Sequence, residues 1–340
     1  MARRIPHAQL DLFAPLPTPA PAPGVGTAAV SPALAAVARC LPSQLYLGTS
    51  SWAFPGWQGL VYDRSAAPSA LARYGLAAYA QHPLLRTVCL DRTFYAPLSA
   101  ADFAAYAAVV PDDFRFMVKA HAWCTQPVRR DPSRSGPRGH IPNEYFLHPG
   151  YATEHVVQPC LTGLGNKAGP MLFQFSPFDV PALSGPQHFA ARLHAFLEAL
   201  PRGPLYAVEL RNASLLTPAY REVLIDVGAY HCFNIHPSMP ALREQSRMVP
   251  PENASALIVR WMLHPARRYA EAKTRYEPFD HIVDDDPHTR QSIATLCRTA
   301  LDTGRPAFVI ANNKAEGSAP CTVAKLAECL AQTTSNALTL

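Results

Sequence analysis

Cysteine pairs are missing from this chain. Its eight cysteines, Cys40, Cys89, Cys124, Cys160, Cys232, Cys297, Cys321 and Cys329, are scattered, with no Cys-x-x-Cys spacing. Several fall in apolar patterns, where cysteine acts as a small hydrophobe. A reducing compartment is therefore expected, with neither a disulfide framework nor a zinc knuckle. No run of 18 apolar residues occurs, so no segment reads as a membrane span. Arg3-Arg4 opens like a targeting signal, but Asp11 and a proline series replace the apolar segment that export needs. The expectation is a soluble, cytoplasmic protein. Charge is sparse at 16% of residues, with a net of +5. That suits anionic small molecules or occasional nucleic-acid contact and falls short of a dedicated DNA-binding composition. No His-Glu-x-x-His, no Gly-x-Ser-x-Gly and no glycine-rich first turn is present, which removes the usual signatures of zinc hydrolases, serine hydrolases and dinucleotide folds.

Proline, by contrast, is abundant at 35 residues, many of them in the first 42. Residues 14–32 are nearly all Pro, Ala, Gly, Val, Thr and Ser, a composition that predicts an extended tail rather than a packed element. The expected organisation is a disordered tail over 1–43, a folded domain over 44–331 and a short tail over 332–340. Ahead of the tether stands Gln9-Leu10-Asp11-Leu12-Phe13. This pentapeptide resembles the one with which bacterial polymerases and repair factors bind the sliding clamp, where glutamine hydrogen-bonds and the Leu-Phe pair fills an apolar pocket. The competing reading has Leu12 and Phe13 folding back on the domain.

From residue 44 onward, eight β-rich apolar runs alternate with helical stretches: 45–50, 86–91, 114–120, 170–175, 205–211, 229–235, 256–261 and 306–312. Eight such units predict a (β/α)8 TIM-type barrel of the α/β class. Near the end of each run stands one polar residue: Thr49, Asp91, Lys119, Gln174, Glu209, Asn234, Arg260 and Asn312. Two positions earlier lies an apolar one: Leu47, Cys89, Met117, Leu172, Ala207, Cys232, Ile258 and Ile310. Strand alternation puts each pair on one face, so the apolar set is expected to fill the barrel and the polar set to ring its carboxy-terminal mouth.

Several segments in order, "GTSSWAFPGW" (48–57), "TFYAPLS" (93–99), "FRFMVKA" (114–120), "GPMLFQFSPF" (169–178), "YAVELRNAS" (206–214) and "NNKAEGSAP" (312–320), resemble the DUF72 (YecE-like) family over about residues 44–330. The resemblance implies a TIM-type barrel and no assigned activity. Departures from the family pattern fall at Cys89, Leu90 and Asp91, where it has Glu-Ile-Asn, and at Met262-Leu263-His264, where it has His-Gly-Arg. Others are Ser51, Leu215 and Thr322.

For chemistry, Glu209 and Asp91 form the candidate acid–base pair, with Lys119 as third member. Arg211 and Arg260 are candidates to hold an anion. Asn312, Asn313, Lys314, Gln174 and Asn234 would line the site, and Trp52 and Tyr95 could stack on a ring. An internal bracing network and an aromatic roof are the bland counterparts of these readings. No cofactor or metal is implied. "GLGNKAG" (163–169) reads as a turn at the opposite end. Two basic stretches, 126–150 with Arg129, Arg130, Arg134 and Arg138, and 264–276 with Arg267, Arg268, Lys273 and Arg275, are expected at the mouth rim. Two functions fit. One is a hydrolase for an anionic nucleotide- or sugar-like substrate, recruited to the replication clamp. The other is a non-catalytic module that binds a nucleic acid or metabolite at the same mouth.

Overall fold

A computed structural model of the chain describes residues 24–130, 139–180 and 183–337, with 333–337 as backbone alone. The eight expected runs all become strands: β1 (Leu45–Thr49), β2 (Thr87–Leu90), β3 (Arg115–Lys119), β6 (Ala168–Phe175), β7 (Tyr206–Leu210), β8 (Tyr230–Ile235), β9 (Leu257–Trp261) and β10 (Ala307–Ala311). They close a parallel barrel in the order β1-β10-β9-β8-β7-β6-β3-β2. A separate antiparallel hairpin pairs β4 (Val128–Arg130) with β5 (His140–Pro142) inside the basic stretch after β3. Residues 131–138, which carry Arg134 and Arg138, lie outside the described part.

Helices α1 (Pro32–Cys40), α2 (Pro68–Ala80), α3 (Ala100–Ala107), α4 (Ala122–Thr125), α5 (Pro149–Ala152) and α6 (Gln158–Leu164) belong to the first half of the chain. The second half carries α7 (Gly185–Glu198), α8 (Pro218–Val227), α9 (Leu242–Met248), α10 (Tyr269–Tyr276), α11 (Pro287–Leu301) and α12 (Ala319–Ala337). Local chemistry sets their starts. Ser99 and Asp102 form a reciprocal capping box on α3, and Asp286 accepts from the Thr289 N–H at the start of α11. In α8, Thr217 caps a helix whose first residue is Pro218, and Gly228 ends it at φ +68°.

Apolar side chains separate into two layers. Cys89, Met117, Leu172, Ala207, Cys232, Ile258 and Ile310 pack together with Phe308 and Tyr230 inside the barrel. The larger layer fills the space between strands and helices. Seven strands therefore carry the expected inward set, and β1 does not. Leu47 joins the outer layer, and Thr49 faces α2, where its backbone N–H and hydroxyl meet Tyr79 Oη at 3.0 and 2.8 Å. Tyr46 takes the inner side, stacked on Phe308 at 4.6 Å. The physical reason is that both faces of a barrel strand are buried, so "LYLGTS" has no polar face to mark its phase.

Two boundaries also shift. The expected disordered tail over 1–43 gives way to packed structure from residue 24. Ala28 N–H donates to Val61 O, Asp63 N–H donates to Gly26 O, and Thr27 bridges Tyr62. Helix α1 starts at a Ser31 cap followed by Pro32 and sets Leu34, Val37, Ala38 and Leu41 against the outer core. That stripe at i, i+3, i+4 and i+7 is an amphipathic helix hidden in an alanine-rich run. At the other end, α12 extends through 332–337, where a tail was expected. The pentapeptide 9–13 falls outside the described residues. Among those described, no helix is long and apolar enough to cross a membrane.

Candidate functional site at the barrel mouth

The inward register that buries Ala207 and Ile258 carries Glu209 and Arg260 to the next level up, where β7 and β9 approach the mouth. Both side chains are fully buried. Burial alone would raise the Glu209 carboxyl, but two guanidiniums outweigh it and hold it down at about 2. Arg211 Nε donates to Glu209 Oε1 at 2.6 Å, and its Nη2 pairs with the same oxygen. Arg260 Nη1 donates to Oε2 at 2.6 Å. Arg260 Nη2 then reaches Asp91, at 2.9 Å from Oδ1 and 3.3 Å from Oδ2. Asp91 opens the turn after β2, and Cys89 Sγ donates to its Oδ1 at 3.2 Å. A chain of charge thus runs Arg211–Glu209–Arg260–Asp91 across the barrel.

Lys119, at the end of β3, stands beside this chain. Among the described residues, no carboxylate oxygen lies within 4 Å of its Nζ; the amine sits instead 3.8 Å from the Phe94 ring centroid. Burial lowers its pKa, and Asp91 partly offsets that. Three cations at this level therefore face two carboxylates. A further lysine, Lys314, follows β10 and is brought down to about 8 by burial and by Lys273. Its Nζ lies 4.6 Å from the Tyr269 centroid and 5.8 Å from that of Phe279. Burial also lowers His121 to about 4; its Nδ1 is 2.7 Å from Tyr151 Oη. His236, lowered likewise to about 4 by burial and Arg211, shares a 2.8 Å contact with Ser238 Oγ.

The amides are largely engaged. Asn312 Nδ2 donates to Ser50 Oγ at 2.7 Å, and its Oδ1 accepts from the Lys314 N–H at 2.9 Å. Asn234 Nδ2 donates to Leu210 O at 3.1 Å. Gln174 Nε2 lies 3.2 Å from Ser176 Oγ as donor. Asn313 accepts from Trp57 Nε1 and the Ala319 N–H, at 3.2 and 2.8 Å, so it fastens the start of α12 rather than facing a ligand. Trp52 likewise leaves the expected stacking position. Its indole N–H donates to Leu71 O at 3.0 Å, and the ring is buried in the outer core. Tyr95 does stand at the rim, more than half exposed.

Of the second basic stretch, Arg267 pairs with Glu271 and Asp284 and Arg275 with Asp284, and the Tyr276 hydroxyl donates to the same Asp284 carboxylate. Their charge is spent on bracing. Two contributors went unread in the sequence. Phe279 covers Lys314, from a position whose backbone φ is +70°. Glu316, fully buried, accepts through Oε1 from Asp286 N–H and Arg290, and through its carbonyl from the N–H groups of Val283 and Asp284. A lone glutamate in a Gly/Ser-rich loop would have been the only signal.

A sequence profile described as "Protein of unknown function DUF72" matches residues 46–339. The chain belongs to the DUF72 family. Among solved structures, it is similar to a DUF72 family protein from Enterococcus faecalis V583, with 19% identity, a TM-score of 0.55, and coverage of 84% of this chain and 95% of that one. It is also similar to a DUF72 family protein from Thermotoga maritima MSB8, with 20% identity, a TM-score of 0.52, and coverage of 84% and 98%. At such identities the likeness shows the shared fold. No functionally curated relative matches the chain. In this DUF72 barrel the mouth includes Cys89 and Asp91. There a thiol and a short carboxylate occupy β2 and the turn after it, and the carboxylate closes the far end of the charge chain.

Proposed function

We propose that the barrel mouth binds a small anionic substrate, nucleotide- or sugar-like, and hydrolyses its phosphoester or glycosidic bond. The observation that carries this reading is the surplus cation: Glu209 and Asp91 together balance Arg211 and Arg260, and Lys119 is left for a ligand. A nearly buried ammonium with no carboxylate in contact among the described residues, standing at a barrel mouth, favours an incoming anion. Glu209 serves as counter-ion rather than acid, because both of its oxygens are bonded and its proton is lost far below neutrality. Asp91, partly open to solvent, is the base that takes a proton from the attacking water, and Lys119 returns one to the leaving oxygen. A non-catalytic binding module is favoured by one fact: both mouth carboxylates, Asp91 and Glu209, already hold an arginine.

Calorimetric titration with inorganic phosphate, together with turnover of a panel of phosphoesters and glycosides, separates the two readings. Lys119→Met is expected to weaken phosphate binding about tenfold or more. Asp91→Asn is expected to cut turnover at least a hundredfold with affinity held within a few fold. Phosphate binding without turnover of any panel member supports the binding module, and absence of phosphate binding removes the site. Recruitment to the sliding clamp through Gln9, Leu10, Asp11, Leu12 and Phe13 belongs to the same proposal, supported by the five-position resemblance. A peptide spanning residues 5–16 should bind purified clamp. Equal binding after Leu12→Ala with Phe13→Ala would dispose of that part.

A further inference from the structure

Two lysines at the mouth stand outside the carboxylate–arginine chain, and each leads through an aromatic ring to the rim. Lys119 rests against Phe94, whose ring meets Tyr95 edge-on at 5.5 Å. Lys314 rests against Tyr269. Tyr95 and Tyr269 are the exposed large aromatics among the described residues, at 53% and 59%. Lys119 ends β3 and Lys314 follows β10, so both lysine–aromatic pairs stand at the carboxy-terminal mouth of the one barrel, where Asp91 opens the turn after β2.

Several polar groups suited to reading sugar hydroxyls are tied up within the protein. Asn312 is committed to Ser50 and to the Lys314 backbone, Asn313 to Trp57 and α12, and Asn234 to β7. What this mouth offers beside the Gln174 and Asn234 amides is ammonium charge and aromatic surface. Recognition by charge and stacking suits a flat, anionic ligand, whereas a polyol needs many directed hydrogen bonds. The Tyr269 ring lies over Lys314, which sets charge and aromatic surface side by side.

We infer that the mouth selects a phosphate-bearing ligand with a flat ring, the chemistry of a nucleotide unit. Lys119 and Lys314 hold the phosphate, and Tyr269 stacks on the base. This rests on the anion site proposed above and decides between its nucleotide-like and sugar-like forms. The chemistry has two sources, a free nucleotide and the 5′ end of a nucleic-acid strand.

The test is calorimetric titration of the full chain with inorganic phosphate, ribose 5-phosphate, adenosine 5′-monophosphate and a 5′-phosphorylated tetrathymidylate. The mononucleotide is expected to bind at least tenfold tighter than ribose 5-phosphate. Tyr269→Leu should bring the ratio of the two affinities to about one, while Tyr269→Phe keeps it. A tetrathymidylate tenfold tighter than the mononucleotide assigns the strand end as the source; the reverse assigns the free nucleotide. Equal affinities for the mononucleotide and ribose 5-phosphate, with phosphate still bound, overturn the nucleotide inference and spare the anion site. No binding by any of the four overturns both.

Discussion

Glu209 shows how a side chain that reads as catalytic acquires a different task from its neighbours. A carboxylate at the mouth end of a barrel strand has the position of an acid or base. Two guanidiniums on its two oxygens make it a fixed anion instead. Glu209→Gln is expected to leave two buried arginines short of charge and to cost about 3–5 kcal/mol, measured as a lower urea midpoint at pH 7. The pH dependence has a definite sign. The folded value of about 2 lies below the ordinary 4.5, so this stabilisation is complete above pH 4.5 and disappears as pH falls towards 2. Urea titrations at pH 7, 4 and 2.5 should show that decline, and Glu209→Gln should flatten it. That Glu209, Arg211 and Arg260 share a face near the mouth was legible from the spacing of two along β7 and from strand order. Which carboxylate locks which arginine was not, because it depends on distances across the barrel that no local pattern encodes.

At the level of strands and helices, the same contrast appears between pattern and phase. All eight barrel strands were readable as apolar runs between helical stretches, since each is a compact β-rich segment. The phase of β1 was not readable, because Leu45 and Leu47 suit either the barrel interior or the helix-facing layer. Gly48 is the residue that fixes it. A Cβ there would lie 1.8 Å from Thr87 O, so β1 and β2 approach only because position 48 has no side chain. Gly48→Ala is therefore expected to cost at least about 3 kcal/mol, above an ordinary overpacking change, because the obstacle is backbone. A thermal melt within 2 °C of the parent, against the order of 5 °C or more such a loss implies, would refute the close approach. Helix α1 is hard to read for another reason: alanine dominates its composition, while its Ser31 cap and four-residue apolar stripe are short signals. The hairpin of β4 and β5 was masked by the prolines around it.

Across the whole molecule, the fold survives at about one-fifth identity to its relatives, because a barrel requires alternation and volume more than particular residues. The proposed function rests on the charges that remain after internal pairing. The net +5 of the chain matters less here than the balance at the mouth, where Lys314 adds a titrating charge near pH 8. Lys314 is protonated below that value, so anion affinity should be greatest at pH 6–7 and fall as pH rises past 8. Sulfate, whose own charge is constant over this range, is the suitable probe. Its dissociation constant should rise several-fold between pH 7 and 9, and Lys314→Gln should give a weak, flat profile. Raising ionic strength should weaken sulfate binding in both proteins, and more steeply in the parent.

Arg260 clasps one acid on β7 and another beyond β2, a tie-rod strung through the ring of strands. Any guest that seized its guanidinium would first have to evict a resident carboxylate, so admission there is a swap rather than an addition. Phosphates should accordingly be met by the lysines and leave the rod taut, which lets the vessel stay rigid while its cargo comes and goes.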